Sequence, residues 1–239
     1  MPGRLLLVAT PIGNLEDLSP RAARALAEAD LVACEDTRHS GRLLAHLGIQ
    51  KPLVSLHEHN ERARLPRLLA ALAAGDTVAV VSDAGTPLLS DPGFPLVRAA
   101  VEAGHRVEAI PGPSALLAAL TASGLPPYPF TFAGFPPPKS GRRRTFYRKL
   151  APLAHTLVLF ESPHRLLASL EDARAELGDR RAALGRELTK LHEEMLYGRL
   201  SELAAELARR PSLLGEFVLV VGGPDGEAEP ADARASDSA

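Results

Sequence analysis

The sequence predicts an α/β protein of two domains, and three observations carry that expectation. Short apolar runs rich in Leu, Val and Ile alternate with longer amphipathic stretches, the pattern of strands and crossover helices in a mostly parallel sheet covered on both faces. Three of those runs end in small, stiff residues. Residues 5–9 lead into Thr10-Pro11-Ile12-Gly13-Asn14, residues 78–81 into Ser82-Asp83-Ala84-Gly85-Thr86-Pro87, and residues 107–110 into Pro111-Gly112-Pro113-Ser114. Finally, Leu125-Pro126-Pro127-Tyr128-Pro129 reads as a stiff linker, with a second strand-and-helix set behind it. The expected domains are residues 1–124 and 125–222, with a tail over 223–239 whose Gly, Pro, Asp, Glu, Ala and Ser lack any apolar period and predict disorder.

Each element has a local reason. After the first strand, Ser19-Pro20 supplies an N-cap with proline at the first helical position, and Leu18, Ala22, Ala25, Leu26 and Ala29 mark the apolar face. Residues 31–34 form the second strand. A helix with the stripe Leu43, Leu44 and Leu47 follows and stops at Gly48. Residues 53–56 form the third strand, and the helix that ends at Gly75 contains Pro66, which is expected to start a new helical segment. The strand at 78–81 precedes a helix over 95–103, and the strand ending at Ile110 precedes a small-residue helix over 114–123. In the second set, strands are expected at 130–133, 155–160, 181–185, 194–199 and 215–221, with helices near 142–150, 163–177 and 201–210.

Composition excludes several classes. Among 239 residues, 27 Lys and Arg face 29 Asp and Glu, so the net charge is −2 and nucleic-acid binding has to rest on a local patch. The one cysteine, Cys34, lies in an apolar run and rules out a disulfide framework or a multi-cysteine metal site. No apolar run approaches the roughly 18 residues of a membrane span, and no signal peptide opens the chain, so a cytoplasmic location is expected. The sequence has no G-x-G-x-x-G after the first strand, no P-loop, no H-E-x-x-H and no G-x-S-x-G. No metal is expected: His57-Glu58-His59 reads as a polar rim or a structural hydrogen-bond cluster.

The motifs Ala9-Thr10-Pro11-Ile12-Gly13-Asn14-Leu15, Glu35-Asp36-Thr37-Arg38, His57-Glu58-His59-Asn60-Glu61 and Ser82-Asp83-Ala84-Gly85-Thr86-Pro87 follow one another in this order. Pro111-Gly112-Pro113-Ser114-Ala115, Gly134-Phe135-Pro136 with Lys139, Glu161-Ser162-Pro163-His164-Arg165 and Gly185-Arg186-Glu187-Leu188-Thr189-Lys190 continue the series. Together, over residues 4–221, they resemble the ribosomal-RNA-methylating branch of the tetrapyrrole methylase family. The resemblance implies two α/β domains with S-adenosylmethionine in the cleft between them, a homodimer, and 2′-O-methylation of a cytidine ribose in the decoding region of 16S rRNA, within the small ribosomal subunit. Relatives that methylate tetrapyrroles carry a glycine-rich first loop and Gly-Asp-Pro in the second, which this chain replaces. Two other readings remain: a tetrapyrrole methyltransferase, with no use for an arginine cluster, and a non-catalytic ribosome-assembly factor that binds RNA without methylating it.

A pocket for S-adenosylmethionine needs main-chain groups close by and few bulky side chains. Gly13, Gly85 and Gly112 permit that approach, while Pro11, Pro87, Pro111 and Pro113 stiffen the loops. By resemblance, Ile12, Asp83, Thr86, Ser114 and Ala115 match family cofactor positions, and Ser114, opening a helix, could face the cofactor carboxylate. Methyl transfer to a 2′-hydroxyl needs in-line positioning and loss of a proton. Candidate bases are Glu35, Asp36, His39, Glu187 and Lys190; Lys190 and Glu187 are taken as the catalytic pair, with Lys190 acting as a base only if its pKa is lowered. For RNA, Lys139, Arg142, Arg143, Arg144 and Arg148, beside Phe146 and Tyr147, supply cations and aromatic surface. Arg38 is a further candidate RNA contact.

Overall fold

The computed structural model describes residues 3–224, so most of the expected disordered tail lies outside the described residues. The chain divides into two compact units, Met1–Ser114 and Ala115–Ala239. The first consists of β1 (Arg4–Val8), α1 (Pro20–Glu28), β2 (Leu31–Cys34), α2 (Thr37–His46), β3 (Leu53–Ser55), α3 (Glu61–Ala74), β4 (Thr77–Val81), α4 (Phe94–Glu102) and β5 (Arg106–Ile110). Its five strands lie in the order β3-β2-β4-β1-β5, and every neighbouring pair is parallel.

Alternation along the strands builds two cores. Leu6, Val8, Val32, Cys34, Ala79 and Val81 pack with Ala22, Leu26 and Leu44 on one face of the sheet. On the other, Leu5, Ala33, Val54, Val78 and Val80 pack with Leu68, Leu72, Leu96 and Ala100. Every residue of β4 is buried, as expected for a central parallel strand. Ser19 caps α1, its Oγ accepting the Ala22 N–H at 3.0 Å, with Pro20 in the first turn. The structure corrects the reading of Pro66: α3 runs unbroken from Glu61 to Ala74. Pro66 lies in the second turn on an exposed face, so its missing N–H costs one bond, to a carbonyl that water can reach.

The second unit comprises α5 (Ala115–Ala122), β6 (Phe130–Phe132), α6 (Ser140–Leu150), β7 (Thr156–Glu161), α7 (Leu166–Leu177), β8 (Arg181–Arg186), β9 (Glu194–Arg199), α8 (Leu200–Ala208) and β10 (Phe217–Val221). The division between the units falls before α5, whereas the proline-rich linker suggested a boundary after Gly124. Leu116, Ala119 and Leu120 of α5 are buried, and the helix packs on β7, β8 and β10. The sheet order is β6-β7-β10-β8-β9. Only the β6–β7 pair is parallel; β7–β10, β10–β8 and β8–β9 are antiparallel. One dominant core, with Tyr147, Leu157, Leu159, Leu170, Leu184, Leu203 and Phe217, joins this sheet to α6, α7 and α8. Arg180 is buried, but its guanidinium donates to the carbonyls of Ala151, Leu153, Leu177 and Gly222, so the cation is solvated by main chain.

Candidate functional site

In the first unit, the carboxyl ends of the adjacent strands β4, β1 and β5 carry the three loops singled out in the sequence, the position where open α/β sheets hold their ligands. The loops are tied to one another through main chain. Thr10 and Gly85 exchange both N–H···O bonds, at 2.9 and 3.0 Å. Thr86 Oγ1 donates to the Pro113 carbonyl at 3.1 Å, and Thr10 Oγ1 donates to the Ser82 carbonyl at 3.3 Å. Gly85 sits at φ +82°, and a Cβ there would lie 3.1 Å from Ile12 Cγ2; one at Gly112 would lie 3.0 Å from Ala9 Cβ. Both glycines therefore allow contacts that a side chain would push apart. Ile12 is buried, whereas Gly13, Pro111 and Gly112 are exposed. The result is a cradle of main-chain groups and small side chains, suited to a polar ligand held close to the backbone. Ser114 is half-buried and immediately precedes Ala115, the first residue of α5 in the second unit.

Acidic side chains gather at the same end of the first sheet. Asp83 Oδ1 accepts the Asp36 N–H at 3.1 Å, and Asp36 caps α2 by accepting from the N–H groups of Arg38 and His39. The Arg38 N–H first, then the Arg38 side chain and the His39 N–H, hold the Asp36 carboxyl below its usual range. Glu35 is pushed up, by desolvation first and then by Asp83 and Glu58. Asp91, which the sequence reading passed over, is raised to about 6 by desolvation, with Glu35 and Asp83 adding to it and Ser82 opposing. Its nearest signal was the repeat of Ser82-Asp83 as Ser90-Asp91. The loop bearing Asp91 also holds Leu88 and Ser90 at φ 73° and 72°, a strained conformation for side-chain-bearing residues.

Lys190 and Glu187 follow β8 in the second unit and contact each other. Lys190 Nζ lies 3.0 Å from Glu187 Oε1 and 3.1 Å from Glu216 Oε2. Glu187 Oε1 also accepts the Glu216 N–H at 2.9 Å, and a Cβ at Gly215 would fall 2.6 Å from Glu187 Cγ, so the carboxylate is tightly lodged. That N–H, then Lys190, holds Glu187 below the ordinary carboxylate range. Burial pulls Lys190 down, but its bonds to the two carboxylates outweigh it and the net shift is upward. The lowered pKa that a lysine base requires is absent: Lys190 is held as a cation beside a carboxylate.

The basic run on α6 does not present itself as one patch. Arg143 is 3% exposed; its guanidinium reaches Asp172 Oδ2 at 2.7 Å and donates to the Pro138 carbonyl, so it is a structural residue and not an RNA contact. Arg144 and Arg148 both pair with Glu176, at 2.7 and 2.9 Å. Lys139 and Arg142 are exposed. Tyr147 is fully buried with its hydroxyl on Ser169 Oγ and offers no ring for stacking, while Phe146 is partly buried against the core. Arg38, on α2 of the first unit, is 87% exposed, 3.4 Å from Asp36. The His57 cluster is knit locally: Asn60 Oδ1 accepts the His57 N–H and Asn60 Nδ2 donates to Ser55, while Glu61 accepts the Gly93 N–H. Among the described residues no group of three or more His, Cys, Asp or Glu side chains is placed to hold a metal ion, and no helix is long and apolar enough to cross a membrane.

Comparison with known proteins agrees with this geometry. Residues 4–204 match the family model described as Tetrapyrrole (Corrin/Porphyrin) Methylases. A Mesorhizobium japonicum protein named Ribosomal RNA small subunit methyltransferase I is 54% identical over 230 residues, covering 95% of this chain and 78% of that one. The Pseudomonas aeruginosa protein of the same name is 51% identical over 230 residues, covering 94% and 82%. Among solved structures, the uroporphyrin-III C-methyl transferase of Thermus thermophilus complexed with S-adenyl homocysteine aligns with a TM-score of 0.63 at 24% identity, over 92% of this chain and 97% of that one. The strand-end cradle, the α/β architecture and the half-identical relatives converge: the chain belongs to the tetrapyrrole methylase family of methyltransferases, within the group named Ribosomal RNA small subunit methyltransferase I.

Proposed function

We propose that this protein uses S-adenosylmethionine to methylate the 2′-hydroxyl of a cytidine ribose in the decoding region of 16S rRNA. The substrate is the small ribosomal subunit in the cytoplasm, and the enzyme acts as a homodimer. The observation that carries the reading is the main-chain cradle on β4, β1 and β5, in a chain about half identical to proteins named for ribosomal RNA methylation. S-adenosylmethionine supplies an electrophilic methyl group on a sulfonium. Pro11, Ile12, Gly13, Asp83, Gly85, Thr86, Pro111, Gly112, Ser114 and Ala115 would hold it. Their small side chains and cross-linked backbones suit a ligand recognised through peptide groups, and loops already fixed lose little freedom on binding.

The chain's own residues then have to position the ribose and accept a proton. Of the catalytic pair, Glu187 is the better acceptor at neutral pH because Lys190 is held protonated; Lys190 steadies that carboxylate and offers a cation to a phosphate. Lys139, Arg142 and Arg38 are proposed as first phosphate contacts, with Arg144 and Arg148 contributing through their Glu176-bound guanidiniums.

The deciding experiment is transfer of labelled methyl from S-adenosylmethionine into unmethylated small subunits, with the product mapped by nucleotide. Label on one decoding-region cytidine ribose is expected. Absence of label with cofactor binding intact would replace this reading with a tetrapyrrole methyltransferase. Single-turnover rates left unchanged by Lys190→Ala and Glu187→Gln would remove that pair from the mechanism.

A further inference from the structure

The second unit also carries aromatic surface outside α6. The rings of Phe132 and Phe160 meet edge to face at 4.9 Å, and Phe135 tilts against Phe160 at 5.4 Å. Phe135 closes this group on the outside and is 50% exposed. The guanidinium carbon of Arg165 stands over its ring, 6.0 Å from the centre. Direct packing would bring the two to about 3.5–4 Å, so the cation attends the ring without capping it.

A buried scaffold holds both groups. Gly134 O accepts the Phe160 N–H at 3.1 Å, and Pro136 is buried, which fixes the loop on either side of Phe135. Arg165 Nε reaches Glu161 Oε2 at 3.4 Å, and the Glu161 side chain is fully buried, where it also accepts from Ser162 N–H and Ser169 Oγ. The terminal guanidinium nitrogens of Arg165 donate no hydrogen bond among the described residues. Lys139, four residues after Phe135, and His164, next to Arg165 in the chain, are both exposed. An aromatic face, a donor-rich cation beside it and basic neighbours match an unpaired base with its phosphates better than an apolar protein surface.

We infer that Phe135, flanked by Arg165, is a stacking platform for an unpaired base of single-stranded RNA. This deepens the RNA reading above and rests on it. Exposed Phe135 meets the π face of the base, while Arg165, anchored from beneath by Glu161, donates to the base edge or the adjoining phosphate.

The chain contains no tryptophan, so Phe135→Trp places a single fluorescent reporter at the platform. It is titrated with a short single-stranded RNA of decoding-region sequence and with the same backbone carrying abasic riboses. Saturable quenching by the first and not by the second is expected; equal quenching by both would reduce the contact to phosphate and overturn the proposal. A blue shift that grows with protein concentration in the absence of RNA would overturn it too, by showing that a second copy covers Phe135. Phe135→Ala and Phe135→Leu are each expected to weaken binding of the intact RNA about 5- to 150-fold. Full affinity in Phe135→Leu would mean that apolar area alone matters, and the platform would be abandoned. Methyl incorporation by the unaltered protein is followed in parallel. Incorporation together with unchanged RNA binding in Phe135→Ala overturns only the platform, whereas no incorporation alongside base-dependent quenching overturns only the methylation reading.

Discussion

The strand-end loops of the first unit and the basic run on α6 of the second both look like binding sites in the sequence, but they are made of different materials. The loops are joined by peptide groups and small side chains: the Thr10–Gly85 exchange, Thr86 on the Pro113 carbonyl, and Gly112 against Ala9. The helix surface is made of charges that have already found partners, Arg143 on Asp172 and Arg144 with Arg148 on Glu176. A run of glycine and proline announces what its backbone does. A run of arginine announces charge and says nothing about where that charge is spent.

The contrast is broken most sharply at Arg143. Removing it leaves Asp172 with Ser140 as its remaining side-chain donor, in a largely buried place. Arg143→Ala is expected to lower unfolding free energy by roughly 3–5 kcal/mol, read from the shift of a urea midpoint. A loss under about 1 kcal/mol would return Arg143 to the surface class.

In the loops the corresponding probe is Gly85→Ala. The residue sits at φ +82° with Ile12 Cγ2 in the way, so a cost of about 1–2 kcal/mol in stability is expected. S-adenosylmethionine affinity should fall with it, measured by calorimetry. Unchanged affinity would detach the loop from the cofactor.

Asp91 sharpens the electrostatic side of the comparison. Its folded pKa is raised to about 6 from an ordinary 3.8, so the unfolded chain gives up this proton first as pH rises. Stability should therefore decline between about pH 4 and pH 6 and level off above, and Asp91→Asn should flatten that segment. The expected gain at neutral pH is about 1 kcal/mol, after discounting for the group's partial exposure. A thermal-unfolding series against pH in the two proteins checks it; parallel curves would refute it.

The smallest effects belong to Arg144 and Arg148. Each exposed guanidinium shares Glu176 and is screened by solvent, so either alanine substitution should move the urea midpoint far less than Arg143→Ala does. The same urea titration as for Arg143 would show the difference between neighbours in one run.

The first unit was legible because each of its signals is local. Ser19-Pro20 caps α1, alternation along β1 and β4 divides two cores, and Gly75 ends α3 in the left-handed conformation. The second unit depends on partners far along the chain. Arg143 finds Asp172 at a separation of 29 residues and Arg144 finds Glu176 at 32, distances at which charge patterning carries no information. Tyr147 looked like surface among arginines, yet Ser169, 22 residues on, receives its hydroxyl inside the core. Strand direction escaped for a similar reason: β8 and β9 join as an antiparallel pair through the segment holding Glu187 and Lys190, and nothing in their apolar pattern distinguishes that from a parallel neighbour. Pro66 misled in the opposite sense, because a helix tolerates proline where the orphaned carbonyl faces water.

Glu176 has one more consequence. A carboxylate fixed on two guanidinium groups acts as a counterion that cannot diffuse away. When a polyanion binds a free cation, a condensed salt ion is released, and each such release on a single strand steepens the dependence of affinity on salt by about 0.7 in the log–log slope. Arg144 and Arg148 neutralise less phosphate, since Glu176 already offsets part of their charge, and so displace fewer of the cations condensed on the RNA. The salt dependence of the RNA binding proposed for this surface should therefore count Lys139 and Arg142 and largely omit the two arginines between them and the end of the helix.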